Sequence, residues 1–146
     1  MNIRLLAALF LFFVANCFAA PEENIVSEMT KHSSLSAEEI RLHYLDCDSG
    51  NYFSMFICGF YGFTVQDVKL NKDYQELIKF TKKRNPDALQ SLIKSQRLWI
   101  QYWDETCSFN GLLGAGGGRD EGLYTISCKE NLTKERIARI ELNLKY

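Results

Sequence analysis

Four cysteines carry the sharpest chemical signal in the chain. Cys47 and Cys58 stand 11 residues apart and Cys107 and Cys128 stand 21 apart. A zinc site wants close pairs such as Cys-x-x-Cys, and His32 and His43 lie far in sequence from the last two cysteines, so the spacing speaks against metal. An even set of this kind reads as two disulfides formed in an oxidising compartment. Paired cysteines are not thiolate nucleophiles, and neither histidine has a Gly-x-Ser-x-Gly serine near it. Adjacent carboxylates such as Asp104 and Glu105 would point about 100° apart on a helix and could not flank one bond. The residues predict a protein that is not an enzyme, with no catalytic residue, cofactor or metal.

The run Gly114-Ala115-Gly116-Gly117-Gly118-Arg119 begins like a dinucleotide fingerprint. It fails because Arg119 occupies the sixth position and because a helix precedes the run where a buried strand is required. A phosphate-binding loop is excluded too, since no Gly-Lys-Ser/Thr follows. The balance of 17 Lys and Arg against 18 Asp and Glu lacks the basic footprint of a nucleic-acid binder, so no nucleic acid is expected as partner. What remains is a chain of 146 residues, enough for one domain, whose function is binding.

The elements that position these residues follow from pattern. Arg4, the apolar run Leu5 to Ala15, and small residues at Cys17 and Ala19 predict an export signal over residues 1–19, with the mature chain starting at Ala20. Eleven apolar residues fall short of a membrane span, and no later stretch replaces them, so the mature chain is read as having no transmembrane segment. The expected location is the bacterial periplasm or the medium. Val14-Ala15-Asn16-Cys17 leaves lipid attachment at Cys17 as a secondary route.

Residues 20–35 are polar and aperiodic and are read as a flexible arm, with the domain itself spanning 36–146. Ser36-Ala37-Glu38-Glu39 has capping-box spacing and predicts a short helix through about Leu45. A long helical run follows from about Tyr52 to Lys83, with Leu70, Tyr74, Leu77, Ile78 and Thr81 on one face. Gly59 and Gly62 predict a bend or break around Cys58 to Gly62. Asn85 as cap and Pro86 at the first helical position start a second helix, ending near Cys107 and making a helical hairpin. Leu92, Gln96, Trp99, Trp103 and Cys107 share its stripe, read as core. A Gly-rich loop over 108–122 and a last helix capped at Thr133 complete an all-α fold.

Counting from Pro86, Cys58 and Cys107 would sit 7 residues out of level in a straight hairpin, or about 10 Å, too far for a disulfide. The expected pairs are therefore Cys47 with Cys58 and Cys107 with Cys128. Asn71, Gln96, Arg97, Asp104 and Arg136, set at matching heights, are expected to include an interhelical polar network.

Together Met55-Phe56-Ile57-Cys58, Leu70-Asn71-Lys72-Asp73-Tyr74, Gln96-Arg97-Leu98-Trp99-Ile100 through Asp104-Glu105-Thr106-Cys107, and Leu132-Thr133-Lys134-Glu135-Arg136 form a pattern that resembles the LprI-like lysozyme inhibitor family. Leu70, Asn71, Tyr74, Gln96, Arg97, Trp99, Asp104, Thr133 and Arg136 carry it; Trp103 stands where the family commonly has Arg. The resemblance implies a small exported helical domain of the bacterial envelope that inhibits host lysozyme. Its partner would be a protein and its state a monomer. Lysozyme cleaves with two carboxyl groups in an open cleft. A loop over 111–122 bearing Arg119, Asp120 and Glu121 could occlude that cleft, with Arg119 as the fork for the carboxylates. The competing readings are an envelope interaction or immunity protein acting on another toxin, and a structural periplasmic domain with no inhibitory activity.

Overall fold

A computed structural model describes residues 19–145; the expected signal peptide and Cys17 thus lie outside the described residues but for Ala19. The elements are α1 (Glu23–Lys31), α2 (Ala37–Tyr44), a 3-10 turn (Cys47–Ser49), α3 (Tyr52–Arg84), a second 3-10 turn (Pro86–Ala88), α4 (Leu89–Ala115) and α5 (Glu121–Asn143). Among the described residues there is no strand, and no helix is long and apolar enough to cross a membrane.

The capping box forms as its spacing predicts. Ser36 Oγ accepts from the Glu39 N–H, and the Glu39 carboxylate accepts from the Ser36 N–H. Both expected disulfides form, with Cα atoms 6.0 Å apart in Cys47–Cys58 and 5.4 Å apart in Cys107–Cys128. The first ties the turn after α2 to α3, and the second ties α4 to α5.

Residues 20–35 are not a loose arm. They contain α1, whose Ile25, Val26 and Met29 pack with Ile40 of α2 and Ile57 of α3 in a fully buried cluster. The apolar residues of this segment are few, but their i, i+1, i+4 spacing puts all three on one helical face. Arg41 of α2 pairs with Glu23, and the Glu22 N–H donates to the Tyr61 hydroxyl, so the N-terminal end of α1 is tied down.

Nor does α3 break at Cys58 to Gly62. It runs unbroken for 33 residues, and the two glycines serve contact with α5 instead. A Cβ at Gly59 would meet Ile126 Cγ2 at 2.9 Å, and one at Gly62 would meet the Glu130 carboxylate at 3.1 Å. The cost of two helical glycines is offset by the close packing of a neighbouring helix.

The chain reverses at Asn85–Ala88 into the hairpin, although Asn85 makes no side-chain cap. The hairpin is splayed, and α5 fills the space between its arms, parallel to α3 and antiparallel to α4. Leu70 and Leu77 of α3 meet Ile137 and Ile140 of α5 in a second buried cluster. Helix α4 continues eight residues past Cys107, which shrinks the glycine-rich connection from 108–122 to 116–120. Gly111 is buried inside the helix, where a Cβ would lie 2.1 Å from Thr125 Oγ1. Thr133 is no cap either. It is fully buried within α5, its hydroxyl donating to the Lys129 carbonyl and accepting from Trp103 Nε1.

Candidate functional site

Helices α4 and α5 meet at a five-residue turn that forms one tip of the molecule. Ala115 ends α4 because Gly116 and Gly117 take positive φ, +57° and +75°, a region where a side chain is strained. Both glycines face open space. The turn is anchored from below by Cys107–Cys128 and by the tight fit of Gly111 and Gly114 against Thr125 and Tyr124. The polypeptide exposed at this tip is therefore held by a rigid base.

The expected contact residues sit on this turn, in three different settings. Arg119 is exposed, and its guanidinium lies over the Tyr52 ring, 5.0 Å from the centroid. Asp120 stands at the N-cap of α5, where its carbonyl accepts from the N–H groups of Leu123 and Tyr124. Glu121 is half-buried in the first turn of α5, beside Gly111.

Beside the turn lies a group of apolar side chains that the sequence did not single out. Phe109 is 62% exposed, Leu112 55%, Leu113 68% and Tyr124 49%. Leu113 and Tyr124 border one shallow depression with Asn110 and Leu132. Reading 108–122 as loop concealed this face, because Phe109, Leu112 and Leu113 share a side only when α4 runs through them. Exposed apolar side chains that include aromatic rings have the composition of a protein interface.

The residues of the family pattern lie deeper. Arg136 Nε donates to Gln96 Oε1 at 2.9 Å, with its guanidinium 5.6 Å from the Trp99 ring centroid. Burial holds the Arg136 guanidinium below its ordinary pKa. Lys129 donates to Asp104 and lies 4.2 Å from the Trp103 ring centroid. These two pairs join α4 to α5. Asn71 instead donates to Asp67 one turn back on α3, and Arg97 is exposed, so the five polar residues do not form one network. Leu70 is core, and burial raises the pKa of Tyr74 beside it. The pattern thus records how α5 is seated, with Trp103 Nε1 satisfied by Thr133 and the Lys129 carbonyl.

The sequence profile of the family described as lysozyme inhibitor LprI matches residues 47–140. The chain belongs to this family. An uncharacterized protein of Rhizobium meliloti (strain 1021) is similar to it, 33% identical over 95 residues that cover 58% of this chain and 68% of that protein. No solved structure matches. The LprI match starts at Cys47 and so contains both disulfides, all of α3 and α4, and most of α5; helices α1 and α2 precede it. The disulfides and the LprI membership are consistent with an extracytoplasmic protein.

Proposed function

We propose that this LprI-family protein is exported to the periplasm or beyond and inhibits a c-type lysozyme, with the α4–α5 tip inserted into the enzyme's cleft. The observation that carries this reading is the pairing of an open, side-chain-free turn at Gly116–Gly118 with the exposed apolar face of Phe109, Leu112, Leu113 and Tyr124 on a cross-linked base. A narrow glycine turn can enter a groove built for a sugar chain, and the apolar face beside it can cover the rim. Pre-formed by Cys107–Cys128, the turn loses little freedom on binding.

Arg119 supplies the charge. The stacking of this exposed guanidinium on half-buried Tyr52 is worth about 0.5–1 kcal/mol, whereas a bidentate bond to a desolvated carboxylate is stronger. The balance favours release of Tyr52 in exchange for the catalytic carboxyl pair of the enzyme. Asp120 stays behind to end the turn, and Glu121 supports the base of the tip.

The test is clearance of a cell-wall suspension by c-type lysozyme with the disulfide-bonded protein added in increasing excess. Dose-dependent inhibition that weakens in Arg119→Ala supports the reading. Full lysozyme activity at large excess of the protein removes it.

A further inference from the structure

A second surface lies along the flank of α3. Five aromatic rings follow one another there: Phe56, Phe60 and Phe63 from α3, then Trp103 and Trp99 from α4. Their centroids are separated in turn by 6.3, 6.5, 5.8 and 6.1 Å, and successive planes are inclined by only 18–37°. Three clefts of about 390, 320 and 170 Å³ open along the row. The first two share Phe60 and Phe63, and the last two share Asp67 and Trp103, so they make one continuous groove.

None of the five rings is fully buried, although Phe56 and Phe60 pack on the first core cluster and Trp99 on the second. Each ring lines at least one of these clefts, so part of its apolar surface reaches solvent, while one face of Trp103 is covered by Lys129 and one of Trp99 by Arg136. The edge of the groove is polar: Glu28, Thr64, Asp67, Asn71 and Gln96 line it. Its charges are largely spoken for. Glu28 pairs with Lys31 and His32, and Lys129 pairs with Asp104. Asp67 has an amide partner, Asn71, in place of a cation.

We infer that this groove binds a β-linked oligosaccharide of pyranose units. A pyranose ring presents C–H bonds on its faces, which pack on the negative face of an aromatic ring, and hydroxyls around its rim, which want carboxylate and amide partners. Ring centroids about 6 Å apart step at close to the length of one sugar unit, so consecutive sugars can meet consecutive rings. The carboxylates of the lining, Glu28, Asp67 and Glu121, outnumber its one lysine, Lys129, which disfavours a polyanion, and the polar edge selects a polyhydroxylated chain over an acyl chain. Desolvation holds the Asp67 carboxyl above its ordinary pKa, the state of a group poised to trade its sparse solvation for ligand hydroxyls. This site does not rest on the lysozyme reading, which uses the tip, and either can fail alone.

The chain has two tryptophans, Trp99 and Trp103, and both line the groove, which makes the intrinsic emission a local reporter. The disulfide-bonded protein is titrated with the β-1,4-linked hexamer of N-acetylglucosamine and with cellohexaose, followed by tryptophan fluorescence and calorimetry. Saturable binding of either sugar is expected, weakened about tenfold in Phe63→Ala and in the shape-conserving Asp67→Asn. Thermal unfolding shows that each variant is folded. The inference is overturned if neither sugar changes emission into the millimolar range, if both variants bind like the parent, or if tetralysine or phosphatidylglycerol vesicles saturate the signal and the sugars do not.

Discussion

The half of the molecule nearest the α4–α5 turn and the half nearest Pro86 are built by different means. The first holds both disulfides, the sealed cluster of Met29, Ile40 and Ile57, and the capped helix α2. The second has neither disulfide among the described residues. It rests on Leu70, Leu77, Ile137 and Ile140, with Lys69 of α3 bridging Asp73 and Glu141 at the surface. The exposed apolar face and the glycine turn are in the cross-linked half. Covalent and packing constraints are thus concentrated under the surface proposed to bind, where pre-organisation has a use.

The largest effect should come from the sealed cluster. Met29→Ala, which empties a fully buried site in α1, is expected to lower unfolding free energy by about 2–5 kcal/mol in a denaturant titration. A loss under about 1 kcal/mol would mean that α1 is dispensable, and that the cross-linked half is not the better-built one. Next is the bridge under the tip. Replacing Cys107 and Cys128 by Ser should cost about 2–4 kcal/mol, and about 0.6 kcal/mol more than the same change at Cys47 and Cys58, since the chain between the first pair is longer. Equal or reversed losses would break that ordering.

A smaller effect is expected where the two halves meet. Asp67 is held above its ordinary pKa chiefly by burial, with the Glu28 charge adding to the rise and His32 and the Asn71 amide opposing it. The folded state therefore keeps a proton that the unfolded chain has released, and stability falls as pH rises from about 3.9 through the raised folded value. Asp67→Asn removes that loss, so its melting temperature should exceed the parent's at pH 7, and the gap should close toward pH 3.5. A variant that melts lower at pH 7 contradicts this. Smallest is Glu141→Gln in the far half, a half-exposed partner of Lys69. It should change stability by less than about 1 kcal/mol, and by less still in high salt.

Much of this architecture was legible in the residues. Cysteine spacing gave both pairs, the Ser36 to Glu39 box gave α2, and the apolar stripe of α3 marked Leu70 and Leu77 as core. Glycine was where local reasoning failed. Gly59, Gly62, Gly111 and Gly114 look like helix breakers one segment at a time, yet all are helical, and each lets α5 approach. That function depends on a helix distant in sequence, so propensity alone cannot show it. The same error hid the tip: with α4 cut at Cys107, Phe109, Leu112 and Leu113 had no common face. Helix α1 was missed because three apolar residues in a polar segment carry too little signal until Ile40 and Ile57 close over them. Trp99 and Trp103 were read as plain core, although both are only partly buried along an open groove.

The central claim is that the tip, and no other surface, stops lysozyme. Its most direct test is the inhibition constant against a c-type lysozyme for the parent protein and for two charge insertions of equal kind, Leu113→Asp at the tip and Leu98→Asp on the outer face of α4, 68% and 55% exposed respectively. The account predicts that Leu113→Asp weakens inhibition at least about a hundredfold, as burying an unpaired charge at an interface should, while Leu98→Asp matches the parent. Equal inhibition by all three proteins would contradict it.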